Sequence, residues 1–384
     1  MKILRICWEW PPPWSGLAPG PYEMTAAQAA AGHEITYLCG GASGDPVENL
    51  DGVDARRMGP YRRLAGPLFT ACVKTAVEFR KESRRAEIIH GHGILTLWVN
   101  LLFLLGAKHP PYVYHFHSCA QGADEKNRRL GVEVGATPGQ WVYRRALRLC
   151  EKLAVKTADR FIAVSESIKK EIMTYYNAPE ERISVVDNGV NCDLFSPGGP
   201  DGREQYGFKE DDVVLVFAGI IRPLKNVHLI IDSLLQLPEN VKALLAGPWE
   251  TDYKRMLDDR VAEKNLGERV VFTGPVEYRD MPRVYRTGDV FLLPSATEGF
   301  PKVVLEAAAT GLPAIASGFR TEGLLAEAIN FLDERNLDGG GIADAVRMFI
   351  DGKGKRPVDN GLFRSVYDWR IKAAELEKIY GNLL

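Results

Sequence analysis

The chain has 384 residues, of which 46% are apolar and 26% are charged. This composition is that of an ordinary globular protein, and it excludes an intrinsically disordered chain. The formal net charge of −2 argues against nucleic acid as the main partner, because nucleic-acid-binding proteins carry a strongly basic surface. At roughly 150 residues per domain, the length predicts two domains.

Short runs rich in Ile, Val and Leu alternate with helical patterns in the first half of the chain. They predict strands at residues 3–7, 35–39, 87–90, 112–115, 160–164 and 183–186. Strands that alternate with helices form a parallel sheet covered by helices. The sequence therefore predicts a doubly wound, Rossmann-like α/β domain over residues 1–195.

A linker and a second series of strands follow. The densest cluster of chain-breaking residues lies at 193–207. The strands predicted after it are at residues 213–218, 241–246, 270–273, 290–293 and 313–316. The pattern thus occurs twice, which predicts a second Rossmann-like domain over residues 205–365. Open parallel sheets bind ligands beyond the carboxyl ends of their strands, so two such sheets facing each other would form a cleft lined by those loops.

The last stretch, residues 366–384, places apolar and aromatic side chains at approximately helical spacing. It predicts a helix that packs across onto the first domain.

The cysteines and the apolar runs indicate where in the cell the protein is located. All six cysteines lie in the first half, without a C-x-x-C pair, so a reduced cytoplasmic setting is expected. The first strand runs into the prolines at 11–13 before an apolar segment forms, which indicates a strand and not a signal peptide. The longest largely apolar run, residues 94–107, is too short to cross a bilayer.

Two glutamates, Glu298 and Glu306, are the most informative residues of the second domain. Pro301 suits the first helical position and Gly311 the helix end, so Glu298 is expected in a loop and Glu306 in the helix. Free amides at the helix start offer an anion site, and carboxylates beside it suit sugar and ribose hydroxyls. On these residues alone, a helix cap at Glu298 and a solvated Glu306 are an equally good interpretation.

The segment around these glutamates resembles the signature of retaining GT-B glycosyltransferases, glycosyltransferase family 4 in particular. It has the pattern S-x-x-E-G-F-P-x-V-x-L-E-A-x-A-x-G-x-P at residues 295–313. Similar motifs occur in order along the chain, namely G-H-E-I at 32–35, A-D-R-F-I-A-V-S at 158–165 and N-G-V at 188–190. The resemblance implies a GT-B fold, with two Rossmann-like domains facing across a cleft. It also implies transfer of a sugar from a nucleotide-diphosphate-sugar donor.

The resemblance implies a role for each matching residue. Glu298 would hold the hydroxyls of the donor sugar and Glu306 those of the ribose. Lys225 would neutralise the diphosphate, and His117 would reach the donor sugar near its reactive carbon, which leaves His115 as a core residue. The other donor-site residues implied are Gly219, Pro248, Val276, Gly299, Phe300, Pro301 and Lys302.

Two positions depart from the family pattern. The family has Gly-Arg after the first strand of the second domain, whereas this chain reads Gly219-Ile-Ile-Arg222. Arg222 either substitutes from two positions later or is a surface-loop arginine. The family's Gly-Gly loop near the donor phosphate falls on Ser15-Gly16, and Gly16 still permits close backbone approach.

The acceptor side is expected to include Trp14, Ser15 and His92. Tryptophans at positions 8, 10 and 14 suggest stacking on a sugar, with core packing as the alternative for Trp8 and Trp10. The hydroxyl acceptor itself, whether a glycan, a lipid-linked acceptor or a small molecule, has no signal in the sequence.

No metal or other cofactor is expected. His90, His92, His115 and His117 follow two neighbouring strands, but no Cys or carboxylate stands near them at ligand spacing. The sequence also lacks Asp-x-Asp, which argues against a metal-dependent glycosyltransferase fold. With both glutamates occupied by donor hydroxyls, retention favours front-face transfer, in which the leaving phosphate deprotonates the acceptor.

Two basic amphipathic segments, residues 61–85 and 140–156, indicate either contact with an anionic membrane or a solvated helix face. The alternative functions that remain open are a nucleotide-sugar epimerase of the same fold and a catalytically silent sugar-nucleotide-binding protein.

Overall fold

The computed structural model describes residues 1–12, 14, 18–41, 46–59, 65–129, 137–333, 337–355 and 357–384, with the backbone alone for 65–69. The chain divides into two compact units. Unit 1 comprises Met1–Asn188 and Trp369–Leu384, and unit 2 comprises Gly189–Asp368.

Unit 1 is a seven-stranded parallel sheet with helices. Its strands are β1 (Lys2–Ile6), β2 (Glu34–Cys39), β3 (Val53–Arg57), β4 (Ile88–His92), β5 (Tyr112–Phe116), β6 (Arg160–Ala163) and β7 (Ile183–Val185). Its helices are α1 (Pro19–Ala30), α2 (Ala65–Glu82), α3 (Leu97–Leu104), α4 (Ala120–Arg129), α5 (Pro138–Thr157) and α6 (Glu166–Tyr176), with 3-10 turns at Gly93–Thr96 and Glu180–Arg182. The strand order β3-β2-β1-β4-β5-β6-β7 reverses direction between β1 and β4.

Unit 2 is a six-stranded parallel sheet with helices. Its strands are β8 (Val213–Ala218), β9 (Val241–Ala246), β10 (Val270–Gly274), β11 (Val290–Pro294), β12 (Ala314–Ser317) and β13 (Ile329–Phe331). Its helices are α7 (Arg203–Tyr206), α8 (Val227–Leu234), α9 (Thr251–Glu263), α10 (Met281–Thr287), α11 (Lys302–Ala309), α12 (Gly323–Glu327), α13 (Gly339–Ile350) and α14 (Asn360–Tyr367), with 3-10 turns at Pro223–Lys225 and Tyr278–Asp280. The order β10-β9-β8-β11-β12-β13 reverses between β8 and β11.

The central strands are buried on both faces, which is why they appear in the sequence as continuous apolar runs. All eleven predicted strands are present, within two residues of their predicted bounds. The two strands that the sequence did not predict, β3 and β13, are edge strands. Each is only partly buried over most of its length, and β3 has the polar sequence Val-Asp-Ala-Arg-Arg.

The predicted carboxyl-terminal helix over residues 366–384 is two helices. The chain leaves helical geometry at Asp368, where φ is −61° and ψ is 139°. The last helix, α15 (Trp369–Gly381), belongs to unit 1, where it packs against α1. Its buried Trp369, Leu376 and Tyr380 join Ile3 and other core residues of that unit.

The six cysteines are buried and none forms a disulfide. Across the described residues, every helix is too short or too polar to pass through a lipid bilayer.

Candidate donor site and histidine cluster

The two charged residues Lys225 and Glu298 meet at the point where the strand order of unit 2 reverses. Lys225 ends the 3-10 turn after β8, and Glu298 lies in the loop after the neighbouring strand β11. The Lys225 ammonium donates a hydrogen bond to Glu298 Oε1, and both side chains are mostly buried. Such a reversal leaves a crevice beyond the strand ends, which is where open α/β sheets bind ligands.

Backbone contacts hold these two loops together. The Ala296 amide donates to the Leu224 carbonyl at 2.9 Å, and Asn226 Nδ2 donates to the Pro294 carbonyl at 3.0 Å. These two hydrogen bonds join the two loops next to the Lys225–Glu298 pair and so fix its position.

The loop after β12 supports Glu298 from its other side. The Glu298 amide donates to the Gly318 carbonyl at 2.8 Å. Gly318 has a φ of +84°, and a Cβ there would clash with the Ser295 carbonyl oxygen. The close approach therefore requires glycine.

Glu306 is buried in α11 and is not a solvated helix residue. The Tyr285 hydroxyl donates to Glu306 Oε2 at 2.7 Å. Burial raises the pKa of Glu306, while the Tyr285 hydrogen bond and nearby Lys302 oppose that rise. Tyr285 was not identified from the sequence, because nothing in a tyrosine 21 residues away marks it as a partner.

The helix that carries Glu306 begins one residue later than predicted. Pro301 is extended, with φ −73° and ψ 113°, and is the N-cap, so Lys302 is the first helical residue. A proline has no amide hydrogen, and its fixed φ is as acceptable at this flanking position as at the first helical position. Gly311 follows the helix end with a φ of +80°, as predicted. Phe300 is 6% exposed, so its side chain belongs to the core, and Gly299 beside it is partly buried.

The remaining donor-site predictions in unit 2 lie at the carboxyl ends of adjacent strands. Gly219 follows β8, Pro248 follows β9, and Val276 follows β10. The Pro248 carbonyl accepts from the Ile221 amide at 2.8 Å, which joins the first two loops. These residues share one edge of the sheet with Lys225 and Glu298.

Gly247, which the sequence did not single out, makes this join possible. Its φ is +131°, and a Cβ there would overlap the Gly219 carbonyl oxygen. The loops after β8 and β9 therefore touch backbone to backbone. A glycine directly after a predicted strand is the signal that could have found it.

Arg222 is partly buried, which does not fit a freely exposed loop arginine. Its backbone is extended, with φ −150° and ψ 163°, just before the 3-10 turn that ends at Lys225. Within the described residues, its Nε is buried and has no hydrogen-bond acceptor.

In unit 1, four histidines form a cluster at the ends of β4 and β5. His90, His92 and His115 are 0%, 2% and 5% exposed, and His117 is partly buried. His92 Nδ1 lies 2.9 Å from His117 Nε2, and His115 Nδ1 lies 3.3 Å from His90 Nε2. The Tyr380 hydroxyl lies 2.5 Å from His90 Nδ1. His92, expected on the acceptor side, is buried against His117, and its contact with an acceptor stays a prediction.

Burial lowers the pKa of the three inner histidines well below the ordinary value, and repulsion from the Arg5 guanidinium and from neighbouring histidines of the cluster adds to the effect. Among the described residues, His90, His92 and His115 have ring nitrogens within 4.8 Å of one another, close enough to hold a metal ion. The rings of His90 and His115 are nearly parallel, at 4°, so their in-plane lone pairs do not converge on one point. The expectation that no metal takes part stays a prediction.

The amino-terminal residues are described in part. Ser15 and Gly16 lie outside the described residues. Trp10 is a core residue, 2% exposed, with its indole NH donating to the Glu48 carbonyl at 3.1 Å. Trp14 is partly buried and contacts the Tyr22 ring edge-on at 4.8 Å.

Comparison with known proteins identifies the family of this chain. Glycosyltransferase Family 4 matches residues 14–194, and Glycosyl transferases group 1 matches residues 200–330. The chain belongs to glycosyltransferase family 4. This glycosyltransferase is 28% identical over 335 residues to an uncharacterized glycosyltransferase of Methanocaldococcus jannaschii, covering 83% of the chain and 80% of the relative. It is 30% identical to the D-inositol 3-phosphate glycosyltransferase of Geodermatophilus obscurus, covering 72% of the chain but only 64% of that relative.

Solved structures show that this glycosyltransferase has the GT-B fold. Sucrose-phosphate synthase from Thermosynechococcus elongatus superposes with a TM-score of 0.81 at 22% identity, covering 100% of this chain and 99% of that one. Anabaena HepE in complex with UDP-glucose superposes with a TM-score of 0.73 at 18% identity, covering 100% of both chains. At these identities the likeness concerns the fold.

Proposed function

We propose that this glycosyltransferase transfers a hexose-type sugar from a nucleotide-diphosphate-sugar to a hydroxyl acceptor, with retained anomeric configuration and without a metal ion. The observation that carries the proposal is the Lys225–Glu298 pair at the strand-order reversal of unit 2. Holding both charges largely out of water is costly for stability. A ligand whose diphosphate binds the ammonium and whose hydroxyls donate to the carboxylate would offset this cost.

The two glutamates bind different parts of the donor. Glu298 accepts hydrogen bonds from the sugar hydroxyls and Glu306 from the ribose hydroxyls. The Tyr285 hydrogen bond supports this role for Glu306, because it fixes the carboxylate and favours its charged form.

Lys225 and Arg222 stabilise the diphosphate as it leaves. Negative charge grows on the leaving phosphate when the glycosidic bond breaks, and a cation already fixed beside it lowers the barrier. The buried Arg222 Nε supports its part, since an N–H without an acceptor is costly and a phosphate oxygen would satisfy it.

Transfer is by front-face attack. The bond between the anomeric carbon and the leaving phosphate breaks, the acceptor oxygen bonds to that carbon on the same face, and the acceptor's proton passes to the phosphate. Glu298 is paired with Lys225 and Glu306 with Tyr285, so neither is a free nucleophile. His117 assists near the reactive carbon. Trapping a covalent glycosyl-enzyme intermediate would contradict this mechanism.

A thermal-shift panel of UDP-, GDP- and ADP-sugars tests donor binding. A donor at 100 times its dissociation constant should stabilise the chain by about 2.7 kcal/mol. UDP-glucose is bound in the Anabaena HepE structure and ADP in that of Arabidopsis starch synthase IV, so both bases belong in the panel. If no donor raises the melting temperature, the proposal fails.

Labelled donor then distinguishes transfer to an acceptor from isomerised free donor, the product of an epimerase.

Helix α5 supports a contact with an anionic membrane surface. Trp141, Val142 and Leu149 are exposed on it, and the Arg145 guanidinium lies 4.4 Å from the centre of the Trp141 ring. Part of its charge is neutralised, because Arg144 and Arg148 pair with Asp124. Residues 61–64 of the other basic segment lie outside the described residues. The reduced cysteines support a cytoplasmic location on the inner side of such a membrane.

Co-sedimentation with vesicles of anionic phospholipid tests the membrane contact. Wild-type protein should sediment with them at low salt, and Arg145→Glu should reduce binding severalfold. Arg255→Glu, on the exposed surface of α9, is the matched control. Equal binding by wild type and Arg145→Glu would remove α5 from the contact.

A further inference from the structure

The carboxylate of Glu151 in α5 is buried without a cationic partner. The residue is 3% exposed, and no ion pair of the described residues involves it. A buried carboxyl group, charged or protonated, is expensive unless hydrogen bonds satisfy it. Its contacts therefore need an explanation.

Glu151 holds the first turn of α4. Its Oε2 accepts from the Ala120 amide at 2.9 Å and from the Tyr176 hydroxyl at 2.5 Å. The Tyr176 oxygen in turn accepts from the Gln121 amide at 3.3 Å. The first amides of a helix have no partner within the helix, and here two of them are satisfied by side chains from α5 and α6.

The start of α4 is three residues beyond His117. On the other side of His117, Phe116 ends β5 and its carbonyl accepts from the Val164 amide at 3.4 Å. Gly122 packs so closely on α6 that a Cβ would overlap the Glu171 carboxylate. The short segment that carries His117 is thus anchored by the sheet before it and by Glu151 and Tyr176 after it.

We propose that Glu151, together with Tyr176, is a positioning residue for sugar transfer, which fixes the start of α4 and thereby the orientation of the His117 imidazole. The inference rests on the proposed function, because it takes His117 as the group that acts near the donor sugar. Glu151 does not touch the substrate and acts through His117.

Burial raises the pKa of Glu151 to about 8, against partial lowering by Tyr176 and the Ala120 amide. The titratable groups around it are Tyr176 and Glu171 of α6, Cys119 before α4, Tyr114 of β5 and Cys150 of its own helix. The charged carboxylate accepts both hydrogen bonds strongly, whereas the protonated form has one oxygen occupied by its own proton. Anchoring therefore strengthens as the pH rises through about 8.

The test compares Glu151→Gln and Glu151→Ala with a control, Glu166→Gln, at an exposed position in the first turn of α6. Gln has nearly the same shape as Glu and keeps an acceptor for Ala120, so it keeps the test open if the alanine variant does not fold. Above the pKa of Glu151, where the wild-type carboxylate is charged, we expect kcat to fall about tenfold in Glu151→Gln, with the donor KM changed less than about twofold. The rise of wild-type kcat with pH near the pKa of Glu151 should disappear in Glu151→Gln and persist in Glu166→Gln.

A second measurement does not depend on activity. In histidine-labelled protein, the His117 ring signals, assigned with His117→Gln, should shift in Glu151→Gln and stay in place in Glu166→Gln. Hydrogen exchange of the amides at 120 and 121 should also accelerate in the Glu151 variants. Unshifted His117 signals, or a Glu151→Gln pH profile that superposes on that of wild type, overturn the inference. Absence of any sugar transfer by wild-type protein overturns the proposed function instead, and the His117 signals still decide whether Glu151 orients the ring.

Discussion

The carboxyl edges of the two sheets use different electrostatics. In unit 2, Lys225 and Glu298 meet as an ion pair, and partly buried Arg222 lies three residues before Lys225. In unit 1, the corresponding edge carries a histidine cluster whose three inner members have a pKa lowered well below the ordinary value by burial and are neutral at pH 7. The charges suited to an anionic donor are thus concentrated on one sheet. The other sheet carries neutral histidines, with the buried Arg5 of β1 against His90 as their charged neighbour.

The largest expected effect is on the charged edge. Glu298→Gln removes the negative charge that pairs with Lys225, and we expect kcat/KM to fall about a thousandfold, as when a single charge-stabilising group is lost from an active site. Transfer of labelled sugar measures it. The control is Glu263→Gln, at an exposed position of α9. A loss within tenfold of wild type would show that the ion pair is not central to the donor site.

The second-largest effect is expected for the backbone of the same edge, and it is an effect on stability. Gly247→Ala forces a methyl group onto the Gly219 carbonyl at a φ of +131°, so the free energy of unfolding should fall by about 2–3 kcal/mol. Denaturant unfolding measures it. Gly267→Ala, where a Cβ meets no atom within 4 Å, should be nearly neutral. Equal stability of the two variants would mean that the loops after β8 and β9 can separate without cost.

Tyr285→Phe should have a smaller effect on the same edge. Without the hydroxyl, the pKa of Glu306 rises further, and we expect donor affinity to fall about tenfold. The loss should grow as the pH decreases, because more of Glu306 is then protonated. Donor titrations at several pH values measure this, with Tyr253→Phe, which removes the bond to His228, as control. A pH-independent loss would mean that Tyr285 acts through packing alone.

The smallest effect is expected in the histidine cluster of unit 1. The pKa of His115 is lowered in the folded state, so the unfolded chain binds the proton more tightly. Its contribution to stability is therefore present above about pH 6.5 and is lost as the pH falls below that value. Compared with His115→Gln, wild type should lose about 1 kcal/mol more of its unfolding free energy between about pH 7.5 and 5.5. Parallel pH profiles would contradict a neutral, buried His115.

The sequence predicted the central strands well because burial on both faces leaves continuous apolar runs. It missed β3 and β13 because an edge strand needs few apolar residues, and the alternation of Val53 and Ala55 with polar residues in β3 is too short to stand out. The break at Asp368 was also missed, since the apolar spacing continues on both sides of it.

The sequence predicts those site residues that belong to motifs of neighbouring residues. Glu298, Glu306 and Lys225 could be predicted as site residues because each belongs to a local pattern. The buried partners that hold Glu306 and the segment after His117 could not be predicted in this way. Tyr285 reaches Glu306 from another helix, and Glu151 reaches Ala120 from 31 residues away. Such contacts depend on how helices pack, which local spacing does not record.

The position of α15 has a consequence for how the chain is made. Its Trp369, Leu376 and Tyr380 complete the core of unit 1, although they follow the whole of unit 2 in sequence. A ribosome releases the amino-terminal residues first, so unit 1 must wait for its last helix while unit 2 already has all of its residues. Until α15 has been made, a nascent unit 1 lacks the Tyr380 contact to His90 and leaves apolar core surface uncovered, which favours aggregation.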